Sequence, residues 1–326
     1  MAVRPVLNAS TAAIVVTWNR ADLLRAVIPS LLNQSLPFAR VIVVDNGSRD
    51  DTGEWARQTS RIELVSLPVN RGFAAGCNSG IRCALEDSAI ECVALINNDV
   101  VLDPDWHREA AKALLADPDH GCCATCLVKQ SNPDVIDTAG MIWHSSGWAD
   151  NYLPGRPLTE LGNSIPEIFG ACAAAALFRR AFFRDVGLFD ESFFAYQEDV
   201  DLALRGRLHG WRCVLAPRAR GIHGGFGSNR RFPIGGTYAD YYNARNRIAV
   251  IAKSMPGGDW RRYGMRTLKA HLLYVLKSFP QRRAGATLAG TVHGILRLPR
   301  TLRARSAVFA ARRQSAGPGG RGAGTG

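Results

Sequence analysis

Three polar residues, Asn97, Asn98 and Asp99, interrupt an apolar run in the first third of the chain. In an extended segment alternate residues share a face, so the side chains of Asn97 and Asp99 point the same way. A carboxylate oxygen is a preferred ligand of Mg²⁺ or Mn²⁺, and an amide oxygen is a weaker, neutral one. A divalent cation bound there would neutralise a diphosphate leaving group as its bond to carbon breaks. The alternative is a polar strand end with an aspartate cap.

Two other apolar runs also end in polar residues. Thr17 and Asn19 follow the first run, and Asp45 follows the second. Ligands of open α/β sheets bind at the carboxyl ends of the strands, so these residues are candidates for binding a planar base and a ribose. Asp45 is followed by Asn-Gly-Ser and could instead cap a turn.

A glycine-rich turn at residues 70–80 contains Arg71 and Asn78. It could cradle the phosphates of a bound nucleotide, which makes both residues candidates for nucleotide binding. Its glycines fit neither G-x-G-x-x-G nor the P-loop, so tight packing of the turn on the sheet is an equally good interpretation.

Three carboxylates, Glu198, Asp199 and Asp201, open a predicted helix after an aromatic segment. The helix dipole favours negative charge at this end, which explains them without any function. Beside a metal site, one of them could act as a general base on an acceptor hydroxyl. His223 lies alone in a loop, where a histidine is usually structural.

Trp143 and Trp148 lie close together in a region of short strands and loops. They belong either to the core or to a platform for a sugar or other acceptor. With Glu198, they are the acceptor-site candidates.

The elements that would position these residues alternate along the chain. Strand-like runs at residues 12–17, 40–44, 62–66 and 92–96 are separated by segments with helical spacing. This order predicts an α/β fold of Rossmann-like type, with a mostly parallel sheet flanked by helices. After residue 119 the regularity weakens.

Charge is divided unequally along the 326 residues. Residues 1–239 hold 23 Lys and Arg against 26 Asp and Glu, whereas residues 240–326 hold 17 against 2. The part that carries the candidate site is therefore slightly acidic, which argues against a nucleic-acid-binding protein.

The eight cysteines form no disulfide framework, and residues 1–10 do not resemble a signal peptide. We therefore expect reduced thiols and a protein that stays on the cytoplasmic side.

The basic C-terminal part predicts amphipathic helices over residues 241–311, including one from Arg283 to Leu298, and a disordered tail over residues 312–326. Such helices suit peripheral docking on the anionic inner face of the cytoplasmic membrane. The alternative is an ordinary pair of surface helices packed on the core.

Six segments carry a resemblance to a known family. In chain order they are residues 14–20 (IVVTWNR), 43–48 (VVDNGS), 70–73 (NRGF), 95–99 (LINND), 187–191 (GLFDE) and 198–202 (EDVDL). Together they resemble family 2 inverting glycosyltransferases, over about residues 11–250. The subgroup they resemble is that of the rhamnosyltransferase-like and galactofuranosyltransferase-like enzymes of bacterial cell-wall and O-antigen assembly.

The resemblance implies a GT-A domain over residues 1–240 that binds a nucleotide-sugar donor, with dTDP-rhamnose the leading candidate. UDP-galactofuranose, UDP-hexoses and GDP-mannose are the other donors it allows. The acceptor it implies is a cell-surface glycan, often linked to polyprenyl diphosphate.

The resemblance also assigns roles to residues. Thr17, Asn19 and Asp45 match positions that hold the nucleoside, whereas Asn97 and Asp99 match the ends of the D-x-D metal motif. Asp199 matches the general base of an inverting, in-line displacement, and His223 matches a metal ligand of some members. Asn97 replaces the first Asp of the motif, so the metal site has one charge fewer.

Three other function classes stay open, of which a nucleic-acid-binding protein is suggested only by the basic tail. A nucleotidyltransferase would use a similar sheet and acidic metal ligands, but residues 17–20 lack its Gly-rich, basic first loop. A noncatalytic relative that binds sugar nucleotides or glycans would keep the fold.

Overall fold

A computed structural model of the chain describes residues 9–144, 146–164, 166–225 and 231–315. The strands are β1 (Thr11–Thr17), β2 (Arg40–Asp45), β3 (Glu63–Ser66), β4 (Cys92–Asn97), β5 (Val100–Leu102), β6 (His120–Lys129), β7 (Asn132–Thr138), β8 (Met141–His144), β9 (Trp148–Asn151), β10 (Glu167–Ile168), β11 (Ala175–Arg179) and β12 (Arg212–His223). The helices are α1 (Ala21–Leu32), α2 (Thr52–Gln58), α3 (Phe73–Glu86), α4 (Trp106–Leu115), α5 (Arg180–Val186), α6 (Glu198–Leu208), α7 (Tyr238–Ser254), α8 (Gly257–Ser278), α9 (Ala284–Leu296) and α10 (Leu298–Ser315).

A ten-stranded sheet forms the centre of the first part of the chain. Strands β4, β1, β2 and β3 are neighbours in this order and run parallel, with α1, α2 and α3 between them in sequence. The other half of the sheet is mixed, because β11 runs antiparallel to both β4 and β6 while β12 runs parallel to β6. The predicted α/β architecture with helices flanking the sheet is confirmed.

Helix α3 packs closely on the sheet because two of its residues are glycines. A Cβ atom at Gly80 would clash with Ile14, and one at Gly76 would clash with Val16. The tight-packing interpretation of residues 70–80 therefore accounts for these two glycines.

The chain divides into two compact units. Among the described residues, the first holds those up to Met141 together with Asn151–Phe189 and Trp211–Gly225. The second holds Ile142–Asp150, Asp190–Gly210 and the described residues from 231 onward. The predicted domains, with boundaries after residues 240 and 311, stay a prediction; in this division two earlier segments group with the C-terminal helices.

The C-terminal helices begin with a well-capped α7. Thr237 and Asp240 form a capping box at its start, and Arg283 donates to Asp240 over 2.7 Å. The basic helix predicted from Arg283 to Leu298 corresponds to α9, and α10 follows it. Helix α10 continues to Ser315, into the predicted tail, whose residues 316–326 lie outside the described part.

All eight cysteines are free, as expected. Among the described residues, no helix combines the length and the apolar character that crossing a membrane requires.

Candidate active site

In the first unit, the polar strand ends predicted from the sequence lie side by side. Thr17 pairs with Asp45 across β1 and β2, and Val16 pairs with Asn97 across β1 and β4. This register follows from the parallel alignment of three buried, β-branched strands. The candidate donor and metal residues at these ends therefore share one edge of the sheet.

The loops after β1 and β2 are joined by hydrogen bonds. Asp45 accepts from the Ser48 amide (2.9 Å), and the Ser48 hydroxyl accepts from the Asn19 amide (2.9 Å). The Asn19 side chain accepts from the Arg49 amide (2.7 Å), with Asn19 itself in the left-handed region (φ 52°). One oxygen of Asp45 thus caps a turn, which is the alternative that the sequence left open. The same bonds fix the two loops relative to each other.

Thr17 is buried, and its hydroxyl accepts from the Asn98 side chain over 3.0 Å. This bond joins the end of β1 to the turn that holds Asn97 and Asp99. No role was predicted for Asn98, although it lies between two candidate ligands.

His223 lies against two carboxylates. It ends β12, where it pairs with Val100 of β5, directly after Asp99. Its Nε2 atom is 3.3 Å from Oδ1 of Asp99, and its Nδ1 atom is 2.7 Å from Oδ2 of Asp137. Burial lowers the pKa of His223, but the hydrogen bonds to Asp137 and Asp99 outweigh burial and raise it to about 9. The structure therefore brings together two residues, Asp99 and His223, that the sequence analysis placed at one metal site.

Asn97 supplies a third candidate donor atom at this sheet edge. Its Oδ1 atom is buried and accepts no hydrogen bond from the described protein atoms. An unpaired buried oxygen is costly unless a ligand, an ion or water satisfies it. Amide oxygen, carboxylate oxygen and imidazole nitrogen form a donor set that fits Mn²⁺ or Mg²⁺. In the part of the chain that the structure describes, however, no group of three His, Cys, Asp or Glu side chains is arranged to hold a metal.

The two donor-binding candidates of segment 70–80 differ. Asn78 is buried, and its side-chain amide both donates to and accepts from the backbone of Phe189, over 2.9 and 3.0 Å. It therefore anchors the backbone just before Asp190, and its assignment to the donor site stays a prediction. The Arg71 side chain is exposed, and the backbone amide of Arg71 donates to the Asn46 side chain over 3.0 Å.

In the second unit, a backbone segment with unusual conformations precedes the carboxylates of α6. Phe194, Tyr196 and Gln197 all have positive φ values, of 65°, 68° and 69°. Such conformations cost on the order of 1–3 kcal/mol each in residues other than glycine. The segment leads directly into Glu198 and Asp199, the first two residues of α6.

The three carboxylates of α6 have different surroundings. Asp201 is fully buried and binds Arg205 (2.9 Å), Lys253 (3.0 Å) and Ser254 (2.7 Å). Burial raises the pKa of Asp201, but the charges of Arg205 and Lys253 outweigh burial and lower it to about 2. Asp201 therefore stabilises the fold as a permanently charged member of a buried network.

Glu198 is buried, with Oε2 unpaired among the described protein atoms. Burial raises its pKa to about 8, and the neighbouring Asp199 adds to the shift. The assignment of Glu198 to an acceptor site stays a prediction. Asp199 is half-buried and accepts from the amide of Val200 over 2.9 Å.

The two tryptophans do not form an exposed platform. Trp148 donates to Asp150 over 2.8 Å and packs against Tyr274 and Arg247 of the C-terminal helices. Trp148 is half-buried, and its assignment as an acceptor candidate stays a prediction. Trp143 is half-buried in β8.

Sequence comparison finds one family profile and several relatives. The profile "Glycosyl transferase family 2" matches residues 12–187. An N-acetylglucosaminyl-diphospho-decaprenol L-rhamnosyltransferase of Mycobacterium tuberculosis is 27% identical over 292 residues, which cover 80% of this chain and 91% of that protein. The O-antigen biosynthesis protein RfbC of Myxococcus xanthus is 29% identical over 248 residues, which cover 73% of this chain but only 19% of that protein.

Two solved structures resemble the fold. GalNAc-T7 with UDP, GalNAc and Mn²⁺ superposes with a TM-score of 0.57 and 12% identity, over 74% of this chain and 47% of that one. A mannosyltransferase from Pyrobaculum calidifontis with GDP-Man and Mn²⁺ superposes with a TM-score of 0.52 and 18% identity, over 96% of this chain and 89% of that one. The predicted GT-A fold is thereby confirmed.

Proposed function

Because the chain belongs to glycosyl transferase family 2, and is therefore a glycosyltransferase, we propose that it is an inverting enzyme that transfers rhamnose from dTDP-rhamnose. The proposed acceptor is a hydroxyl of a cell-surface glycan linked to polyprenyl diphosphate. The rhamnosyltransferase relative, aligned over 91% of its own length, supports this choice of substrates. The observation that carries the proposal is the contact of His223 with Asp99 in the turn after β4, whose last residue pairs with the end of β1.

The proposed donor site lies at the carboxyl ends of β1 and β2. We assign Thr17, Asn19 and Asp45 to the nucleoside, with Thr17 acting through the turn of Asn98 because its hydroxyl is engaged there. The exposed side chain of Arg71 is assigned to the diphosphate, whose charge it complements.

Asp99, His223 and Asn97 would hold Mn²⁺ or Mg²⁺. When bound, the cation supplies charge neutralisation for the leaving nucleoside diphosphate. Both solved structures of similar fold contain Mn²⁺, which supports a divalent cation. Because Asn97 replaces a carboxylate and is a weaker ligand, His223 becomes a more important ligand of the cation.

We assign the general base to Asp199. Asp201 is locked in ion pairs, and the raised pKa of Glu198 leaves that group largely protonated at neutral pH. Asp199 is the half-exposed member of the trio. It would accept the proton of the acceptor hydroxyl while that oxygen attacks the anomeric carbon and the diphosphate departs from the opposite face.

An assay with dTDP-rhamnose and N-acetylglucosaminyl-diphospho-decaprenol tests the proposal directly. We expect Mn²⁺-dependent transfer by the wild type and a loss of about 10²–10⁴-fold in kcat for Asp199→Asn. Full activity of that variant would contradict the assignment of the base. Absence of transfer by the wild type would contradict the choice of substrates, and a thermal-shift panel of other nucleotide sugars with Mn²⁺ would then identify the donor.

We also propose that α8 and α9 dock peripherally on the inner face of the cytoplasmic membrane, where a lipid-linked acceptor is presented. Large apolar side chains on these helices are 40–80% exposed: Met265, Leu268, Leu272, Leu273, Leu276, Leu288, Val292, Ile295 and Leu296. Met265, Leu268, Leu272 and Leu276 follow helical spacing, so they form one stripe along α8. Exposed basic residues flank this stripe: Arg261, Arg262, Arg266, Lys269 and Lys277. An apolar face bordered by positive charge matches an anionic lipid surface.

A further inference from the structure

Residues 193–197, which precede the proposed base Asp199, have a backbone conformation that local interactions alone do not stabilise. Phe194 has φ 65° and ψ −63°, and the amide of Ala195 donates to the Phe193 carbonyl over 2.8 Å, which together form a γ-turn of the strained, positive-φ type. Tyr196 and Gln197 then follow in the left-handed region. None of these three residues is glycine, so contacts from elsewhere must maintain the segment.

Those contacts come from one face of α7. Asn246 is buried, and its side-chain nitrogen donates to the carbonyls of Phe193 (2.9 Å), Ala195 (2.8 Å) and Tyr196 (2.7 Å). An amide group has two hydrogens, so one of them is shared between two carbonyls. The side chain of Asn246 thus binds three of the four backbone carbonyls of residues 193–196.

Neighbouring residues of α7 complete this attachment. Tyr242 stacks on the Phe194 ring, with centroids 5.2 Å apart and planes 13° apart, and Asn243 accepts from the Gln197 side chain over 3.0 Å. Arg245 donates to the Phe193 carbonyl over 2.6 Å and orients Asn246 by donating to its Oδ1 over 2.8 Å. Every residue from Phe193 to Gln197 therefore has a backbone or side-chain contact with α7.

The end of the segment determines where α6 begins. The Gln197 carbonyl accepts from the amide of Asp201 over 3.0 Å, which is the first backbone bond of the helix. A rotation of the peptide groups at Tyr196 or Gln197 would redirect the first turn of α6, and with it the Asp199 carboxylate.

We propose that Asn246 is a positioning residue for the transferase reaction: it holds residues 193–197 in a strained conformation that sets the position of the Asp199 carboxylate. The inference rests on the proposed function, since it assumes that Asp199 is the base. It assigns Asn246 no contact with either substrate. Its effect is therefore on the rate of the chemical step and not on donor binding.

Kinetics of Asn246→Ala tests the inference, with the nucleotide sugar that the wild type uses in the transfer assay. We expect kcat to fall by about 100-fold, the effect of a misplacement on the order of 1 Å, while the donor KM and the Mn²⁺-dependent thermal shift with the nucleoside diphosphate stay unchanged. Ser254→Ala is the matched control, because it also removes one buried polar group of α7, which binds Asp201 of α6 instead of the segment. This control is expected to keep its kcat.

A glycine substitution separates positioning from general stability. Glycine adopts the φ and ψ of Gln197 (69° and 0°) without strain, so Gln197→Gly in the Asn246→Ala background should restore part of the lost kcat. Hydrogen exchange of the amides of residues 194–201 should be faster in Asn246→Ala and not in Ser254→Ala. If Asn246→Ala does not fold, Asn243→Ala, which removes only the bond to Gln197, takes its place.

The outcomes distinguish this inference from the proposed function. Loss of activity in Asp199→Asn with normal kcat in Asn246→Ala would overturn the inference and leave the function standing. Full activity in Asp199→Asn would overturn both. A loss in Asn246→Ala that the glycine does not relieve, with unchanged hydrogen exchange in the segment, would also overturn the inference.

Discussion

The Nε2 atom of His223 lies 3.3 Å from Oδ1 of Asp99, while its Nδ1 atom is bound by Asp137 at 2.7 Å. A carboxylate on Nδ1 fixes the ring orientation and makes the other nitrogen a better metal ligand. Asp137 therefore belongs to the proposed cation site even though it would not contact the ion.

Replacing Asp137 by asparagine should weaken Mn²⁺ binding by about 10–100-fold, since the imidazole loses its charged partner. Titration calorimetry with MnCl₂ in the presence of a nucleoside diphosphate measures this effect. Asp134→Asn, an exposed change on the same strand, is the matched control and should bind Mn²⁺ as the wild type does. Equal affinities for the two variants would remove Asp137 from the site.

Glu198 should make the stability of the fold depend on pH. Its pKa is raised to about 8 in the folded state, mainly by burial, from an ordinary value near 4.5. Below pH 4.5 both states bind the proton; as pH rises toward 8 the unfolded state releases it first, so ionisation increasingly favours unfolding. Relative to the wild type, Glu198→Gln should therefore gain at least about 1 kcal/mol of unfolding free energy between pH 4.5 and 8.

Urea unfolding of both proteins at several pH values measures this difference. The amide that Glu198→Gln introduces has a cost that does not vary with pH, so the change with pH is the informative quantity. Parallel pH profiles for the two proteins would show that the Glu198 carboxyl is not protonated in the fold.

The parallel half of the sheet and its polar edge could be predicted because the information is local. Buried β-branched runs end at Thr17, Asp45 and Asn97, and parallel pairing alone places such ends together. The partner of His223 could not be found in this way. Asp137 reaches the histidine because β7 and β12 both pair with β6, an order that no local pattern in the sequence specifies.

The segment before Asp199 was unpredictable for a different reason. Positive φ values are usually indicated by glycine or asparagine, but here they occur in Phe194, Tyr196 and Gln197. Tertiary contacts from Asn246 and its neighbours replace the usual local signal. Likewise, only the folded structure separates the buried Glu198 and the ion-paired Asp201 from Asp199, three carboxylates that look alike in the sequence.

The network around Asp201 should be essential for stability. Lys253 lies 2.7 Å from Asp190 and 3.0 Å from Asp201. Lys253→Met removes both of these ion pairs, whereas the ion pair between Asp201 and Arg205 stays. Removing one partner of a buried ion pair typically costs about 3–5 kcal/mol. We expect a loss of this order in urea unfolding, against almost none for Lys269→Met, an exposed change on α8. A loss below about 1 kcal/mol would show that the network is not needed.

The exposed apolar stripe of α8 should determine binding to membranes. Leu268, Leu272 and Leu276 are 53–63% exposed, and the triple change of these leucines to glutamine removes apolar surface without altering charge. Since about 1.4 kcal/mol corresponds to tenfold in affinity, we expect at least about a tenfold loss of binding to vesicles that contain an anionic lipid. Sedimentation with vesicles of phosphatidylcholine, with and without phosphatidylglycerol, measures it.

Val69→Gln with Ile234→Gln is the control for that experiment, because both residues are exposed apolar side chains outside α8. This variant should bind vesicles like the wild type. Added salt should weaken wild-type binding without abolishing it, because the basic residues are screened whereas the leucines are not. If the triple variant binds vesicles normally, and if the wild type is a dimer while the triple variant is a monomer, the stripe is instead a contact between two copies of the chain.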